Sequence, residues 1–292
     1  MINTNKLKKL IKGLTPPMFL DKLQYLRNYR YFLRYKDLVA KNSELKDVHK
    51  GERCFLLGSG PSIKNEDLKP LKNEIVLALN NFYVHEDFAE IMSGVIPKYY
   101  MTAPVHPPQT EEEWKSWFED MEKHMPKNAN MIFGLNNYDG NIKYIFEKFG
   151  FFKEYSINWF FDGVNYDNSY FNISAMDITQ PIYSCEAVSV YALMIAIYMG
   201  FDEIYLLGMD HDYFLYDDES QMRMYEKAVH QNNEFERSFG DAFYINEFLR
   251  QYNIFSKYKA FADNSKSHIY NASNGGILKV FPKVKFEGLF TI

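Results

Sequence analysis

Arg53-Cys54-Phe55-Leu56-Leu57-Gly58-Ser59-Gly60-Pro61-Ser62 decides the fold. A short apolar run that stops at a glycine pair reads as a buried strand with a tight turn at its carboxyl end, and Ser62 can cap a helix that starts near Ile63. Free N–H groups at such a helix start form an anion site. The same grammar repeats downstream. Ile75-Val76-Leu77-Ala78-Leu79 ends in Asn80-Asn81-Phe82-Tyr83, Lys98-Tyr99-Tyr100-Met101 ends near Thr102, and a fourth strand is expected at Asn130 to Phe133. Between them Glu111 to His124 reads as a helix, with Trp114, Trp117, Phe118 and Met121 on one face. The run Cys185 to Met199 reads as a buried helix leading through Gly200 into the strand Glu203-Ile204-Tyr205-Leu206-Leu207. Strands alternating with helices predict an α/β fold, a Rossmann-like, mostly parallel sheet with helices on both faces, spanning residues 51–292. Residues 151–183, rich in Phe, Tyr and Asn but weakly periodic, read as a lid or insertion.

The whole chain fits that scale. Its 292 residues suffice for one large domain, and 47% hydrophobic with 24% charged residues excludes a disordered or fibrous chain. Two cysteines, Cys54 and Cys185, are too few for a disulfide framework, which points to a cytoplasmic, reducing compartment. The longest apolar run, Ala187 to Phe201, is shorter than the roughly 18 to 20 residues a bilayer requires. The start of the chain lacks the long apolar core of a secretory signal.

Charge is distributed unevenly. Residues 1–36 hold nine Lys or Arg against Asp21, a balance of +8, and the total of −5 leaves −13 for the remainder. A basic arm on an acidic body argues against a nucleic-acid partner, which would need its basic stripe on the folded domain. Residues 1–50 read as a basic helical extension. Leu7, Leu10, Ile11 and Leu14 precede the break at Pro16-Pro17, and Leu20, Leu23, Tyr25, Leu26, Tyr29 and Leu33 follow it. This extension is either a cap on the domain or an arm that holds the protein peripherally on an anionic membrane surface.

Ligands of open α/β sheets bind beyond the carboxyl ends of the strands, so the candidate site residues are sought there. Gly58, Ser59, Gly60, Pro61 and Ser62 suit close backbone approach to a phosphate, with a purely structural turn as the alternative. The third glycine of a dinucleotide fingerprint and the lysine of a P-loop are both absent, which discounts NAD and Walker-type ATP binding. Asn80 and Asn81 can read a base or ribose, or merely stabilise a turn. Asp210, His211 and Asp212 leave the strand end together; carboxylates suit Mg²⁺, but two acids and one histidine without a fixed companion define no metal site.

The combination of Gly-Ser-Gly-Pro-Ser, Asn-Asn-Phe-Tyr and Gly200-Phe201-Asp202-Glu203-Ile204-Tyr205-Leu206-Leu207-Gly208-Met209-Asp210 resembles the bacterial family 42 sialyltransferases. It also resembles the wider superfamily related to archaeal 6-hydroxymethylpterin pyrophosphokinases. The segment Asn271 to Phe290 looks like the terminal motif of that superfamily's bacterial members. The resemblance implies a sheet that binds a CMP-activated sugar without a metal or other cofactor, with Gly58 to Ser62, Asn80 or Asn81 and Asp210 near the nucleotide. Thr102 stands where the family has an Asn, and Ser184 opens the stretch that replaces its Ser-Gly pair. A histidine would deprotonate the acceptor hydroxyl and tyrosines would assist departure of the phosphate. His230 is the candidate base, His211 a phosphate contact, and Tyr213 or Tyr216 the leaving-group contact. His268, before a terminal strand, reads as structural.

The expected activity is transfer of a sugar, a nonulosonic acid such as sialic acid, from CMP to a surface glycan or its lipid-linked precursor. The alternatives are an Mg²⁺-dependent pyrophosphokinase acting on a pterin-type alcohol and a non-catalytic nucleotide-binding component of a polysaccharide assembly complex. The sequence leaves room for a homo-oligomer and does not define one.

Overall fold

A computed structural model describes residues 17–164, 173, 176–216, 221–225 and 243–290. Eight parallel strands form one sheet: β1 (Arg53–Leu57), β2 (Ile75–Leu79), β3 (Lys98–Thr102), β4 (Asn130–Leu135), β5 (Ser156–Val164), β6 (Ile182–Tyr183), β7 (Glu203–Leu207) and β8 (His268–Asn271). Their spatial order is β6-β5-β4-β3-β2-β1-β7-β8. The chain therefore steps outward from β1 to β6, crosses back over the sheet and resumes on the other side of β1. The α/β class and the helices on both faces are as the sequence indicates, and the sheet is parallel throughout the described residues.

The two faces differ in what covers them. On one face Phe55, Val76, Tyr100, Met131 and Phe161 pack against α1 (Pro17–Ala40), α2 (Phe88–Met92), α3 (Glu111–His124) and α4 (Ile142–Phe149). On the other, Cys54, Leu56, Leu77, Met101 and Leu206 pack against α5 (Val188–Tyr198) and α6 (Phe243–Asn264). The crossing back is made by α5, and all of it except Val188 and Ile197 is buried. That explains a helix apolar all round: it lies between the sheet and α6, with no face left for water.

Three local expectations change. The stretch 151–183 supplies β5, an interior strand with Phe160 and Phe161 fully buried, and the short β6. Its aromatic residues face both covered sides of the sheet, so the alternation that announces a half-buried strand is missing. No α-helix follows β1. Pro61–Asn65 is a single 3₁₀ turn in which Ile63 N–H bonds back to Gly60 O, and Ser62 does not cap it. The helix expected before Pro16-Pro17 lies outside the described residues, and the described part of the extension, α1 followed by the 3₁₀ turn Lys41–Leu45, is docked on the fold and not outside it. α1 is anchored by fully buried Phe32 and Val39 and by Asn28, whose amide donates to Gly163 O of β5 and accepts from Asn137.

Candidate functional site

The order of strands reverses between β1 and β7, and a crevice at their carboxyl ends follows from that topology. A cavity of about 540 Å³ occupies it. Its floor is the turns after β1 (Gly58, Ser59), β2 (Asn80) and β7 (Gly208 to His211); its walls are the loop after β3, the start of α5, and Tyr213, Arg223, Glu247 and Arg250.

The glycines are required by one another. Gly58 N–H donates to Leu207 O at 2.8 Å and Gly60 N–H to Gly208 O at 2.9 Å, locking the two turns together. A Cβ on Gly60 would lie 2.4 Å from Asp210 Oδ2, and one on Gly58 would lie 2.5 Å from Gly208 O. Gly276, at φ +75°, seals the same spot, since its Cβ would stand 2.4 Å from Asp210 Cα. Asp210 accepts from Ser62 N–H at 2.8 Å and from Ser62 Oγ–H at 2.5 Å. An internal carboxylate thus takes the place at the 3₁₀ turn that the sequence suggests for a phosphate. Burial pushes the Asp210 carboxyl up and the two Ser62 bonds pull it back.

The better anion site is the start of α5. Its N-cap is Ala187, which has no side chain to satisfy the first turn, and no acceptor among the described residues takes the N–H of Val188 or Ser189. Glu186, Ala187, Val188 and Ser189 all line the cavity. An uncapped helix start carries partial positive charge toward an anion. Two guanidinium groups line the same cavity. Arg250 is fixed by Glu247 through Nε and Nη2, both at 2.7 Å, and by Glu186 O at 3.2 Å. Arg223 and Arg250 lie 5.4 and 5.8 Å from the Tyr213 ring centre, so the ring orients both.

His211 adopts φ +56° and is buried against Tyr258, whose hydroxyl is 2.9 Å from Nε2 and 2.6 Å from Ser189 Oγ. This polar chain ties the turn after β7 to the start of α5. Burial, helped by the nearby Arg250 charge, pushes the imidazole down to about 3, so His211 is neutral at physiological pH.

The remaining candidates are dispersed. Asn80, at φ +49°, faces the cavity, and its side-chain carbonyl accepts from Ala103 N–H at 3.4 Å. Asn81 is held between Trp117 Nε1–H and the Tyr225 hydroxyl, both at 2.7 Å, outside the cavity lining. Thr102 is fully buried and also off the cavity, its hydroxyl without a partner. Ser184 bonds to Asp162, and Pro61 and Ser62 lie behind the first turn. Tyr213 is in the cavity wall; Tyr216 is not, and instead donates to Asp212 at 2.9 Å. Asp212 does not line the cavity, although it lies near enough to help raise the Asp210 carboxyl; the backbone between them turns through His211 at φ +56°. His230 lies outside the described residues.

Sequence reasoning missed His106, Gln109, Glu186, Ser189, Arg223, Glu247 and Arg250. The rule that strand ends carry the site would have reached His106, four residues past β3. The others become neighbours only when α5 and α6 are laid across the sheet.

Comparison with known proteins gives no match: no family model, no curated protein and no solved structure is significantly similar to the chain.

Proposed function

We propose that the chain is a glycosyltransferase that takes a sugar, in the sialyltransferase manner a nonulosonic acid, from a CMP-activated donor to a surface glycan or its lipid-linked precursor. The observation that carries this reading is the cavity at the β1/β7 reversal, which the uncapped start of α5 lines together with Arg223 and Arg250. Those groups suit a phosphate whose charge grows as the glycosidic bond breaks, because fixed donors in a water-poor site stabilise charge more than water does. Asn80 lines the cavity, which supports a role in reading a base or ribose. The motif resemblance supplies the sugar and the CMP; the geometry supports a phosphate-bearing donor.

The acceptor hydroxyl needs a base. His106 lines the cavity, and its Nδ1 lies 2.7 Å from Pro107 O. With Nδ1–H donating to that carbonyl, Nε2 is left as the proton acceptor. Among the described residues His106 is the candidate for the role that the resemblance suggests for His230, which lies outside them. Tyr213 positions the arginines and is the leaving-group tyrosine of this scheme.

The geometry favours a metal-free transfer over Mg²⁺-dependent diphosphate transfer. Both Asp210 oxygens accept from Ser62 and Asp212 lies off the cavity, so the two acids do not form a shared carboxylate site. Free Cys54 and Cys185 support a cytoplasmic setting. A thermal-shift screen with CMP, CDP, UDP, GDP and ATP, each with and without Mg²⁺, tests the proposal. CMP should stabilise without metal, by about 2.7 kcal/mol at 100 times its dissociation constant. Stabilisation by ATP only with Mg²⁺ would replace the reading with the pyrophosphokinase one. CMP binding with no sugar transfer or donor hydrolysis would favour the non-catalytic component.

A further inference from the structure

The nucleotide cavity leaves α1 unexplained. Through Asn28, Phe32 and Val39 one side of this helix is docked on the body, and those residues share a face at helical spacing. The other side carries Leu23, Leu26 and Leu33, exposed by 49, 55 and 50%, with Tyr25 and Tyr29 also exposed. A buried helix would have turned these residues inward, and a helix merely capping the domain would have polar residues there. Every residue from Lys22 to Arg27 is exposed, so this part of the helix stands clear of the body.

The same outward side carries the cations. Arg27, Arg30 and Arg34 fall along one flank of the leucines and Lys22 and Lys36 along the other, with Asp37 as the exposed acid on that side. Among the described residues only Arg34 has an ion-pair partner on the body, Asp139 at 3.1 Å, and both members of the pair are well exposed. Lys22, Arg27, Arg30 and Lys36 have no carboxylate partner among the described residues. The chain beyond residue 36 has a net charge of −13, so the body is repelled by an anionic surface that this helix would attract.

We propose that the outward face of α1 docks on an anionic bilayer surface, leucines entering the interfacial region and arginines and lysines meeting lipid phosphates. Leucines framed by cations on one face suit the boundary between hydrocarbon and anionic headgroups. A second copy of the chain fits less well, because two such faces would oppose arginine to arginine with little acid between them. No described helix is long and apolar enough to cross a membrane, so the contact is peripheral. The inference does not depend on the identity of the nucleotide.

The test is sedimentation of the full chain with vesicles of phosphatidylcholine containing roughly 30% phosphatidylserine, and with phosphatidylcholine alone, at low and high salt. The wild type should bind the anionic vesicles, bind the neutral ones at least about tenfold more weakly, and be released by salt. Arg27→Glu with Arg30→Glu, and separately Leu23→Ser with Leu26→Ser, should each lower the bound fraction about tenfold or more, with melting temperature unchanged because these side chains are exposed. Absence of binding, equal binding to neutral vesicles, or binding indifferent to both pairs of substitutions would overturn the proposal. So would a dimer in solution that the leucine pair abolishes, because the face would then belong to a second copy.

Discussion

The two ends of the sheet treat their polar groups in opposite ways. At the amino end the groups are satisfied internally. Lys98 extends its ammonium under the sheet and donates to Leu71 O, Lys72 O and Glu74 O at 2.8, 3.0 and 2.6 Å. Arg53 forks onto Glu74 at 3.1 and 2.5 Å, and His49 bridges Glu52 and Tyr99 at 2.6 and 2.7 Å while stacking on Phe201. At the carboxyl end the turns interlock through glycine, while the first N–H groups of α5 and the guanidinium groups face a cavity. One end pairs its polar groups internally; at the other the N–H groups of Val188 and Ser189 meet no described acceptor, beside Arg250, which Glu247 and Glu186 O hold. The difference marks the site without any appeal to relatives.

Interlocked turns at the carboxyl end make Gly60→Val the most severe change. Its branched side chain would begin 2.4 Å from the Asp210 carboxylate and 2.7 Å from the Gly208 carbonyl oxygen. A loss of about 3 kcal/mol or more is expected, seen as a collapse in melting temperature or an insoluble product rather than as selective loss of nucleotide binding. A Gly60→Val protein melting like the wild type would show that the two turns are not packed in this way.

At the opposite end, Lys98→Met keeps the aliphatic stem and removes the ammonium. Three carbonyls lose the ammonium together, Leu71 O keeping the Glu74 N–H, and a cost of about 2 to 3 kcal/mol should appear in denaturant unfolding. Nucleotide affinity should stay within about twofold of wild type, since the substitution lies at the amino end of the strands, away from the cavity. A large affinity change with little destabilisation would erase the division between the ends. Arg250→Lys probes the other side of it. Charge is retained but the planar fork onto Glu247 is lost, so affinity for CMP should fall about tenfold while stability changes by less than about 1 kcal/mol. Isothermal titration and thermal melts on the same samples separate the two effects.

The sequence displayed one end of the sheet more clearly than the other. β1, β2, β3 and β7 were legible because each is a short apolar run closed by glycine, asparagine or threonine, and Gly58, Asn80 and His211 followed from the rule that ligands sit beyond strand ends. β5 was hidden because Trp159, Phe160 and Phe161 fill both faces of the sheet and leave no polar beat to read. Ser62 was read as a phosphate contact because its partner Asp210 is 148 residues away, a pairing no local pattern announces. Arg223, Glu247 and Arg250 carry no motif at all. Their place in the cavity comes from α5 crossing the sheet and α6 lying over it, which is tertiary information.

The smallest effect concerns the pH dependence of the carboxyl end. Burial holds the His211 imidazole at about 3, well below the ordinary histidine value of about 6.5. The unfolded chain therefore takes up a proton from which the folded chain is protected. Stability from this residue is complete above about pH 6.5 and is lost as pH falls toward 3, amounting to roughly 1 kcal/mol between pH 7 and pH 5.5. Asp210 and Asp212 act in the opposite sense. Burial raises both carboxyls, so the folded state takes up their protons first and gains stability as pH drops toward the carboxylate range. The measurement must therefore be a difference. His211→Asn suits it, because asparagine tolerates the φ of +56° at this position and does not titrate. Urea unfolding of wild type and variant at pH 7 and pH 5.5 should show the gap between them narrowing by about 1 kcal/mol at the lower pH. A gap that stays constant would mean that His211 takes up its proton as readily in the folded chain as in the unfolded one, so that the carboxyl end gains a cation at pH 5.5 that its burial should exclude.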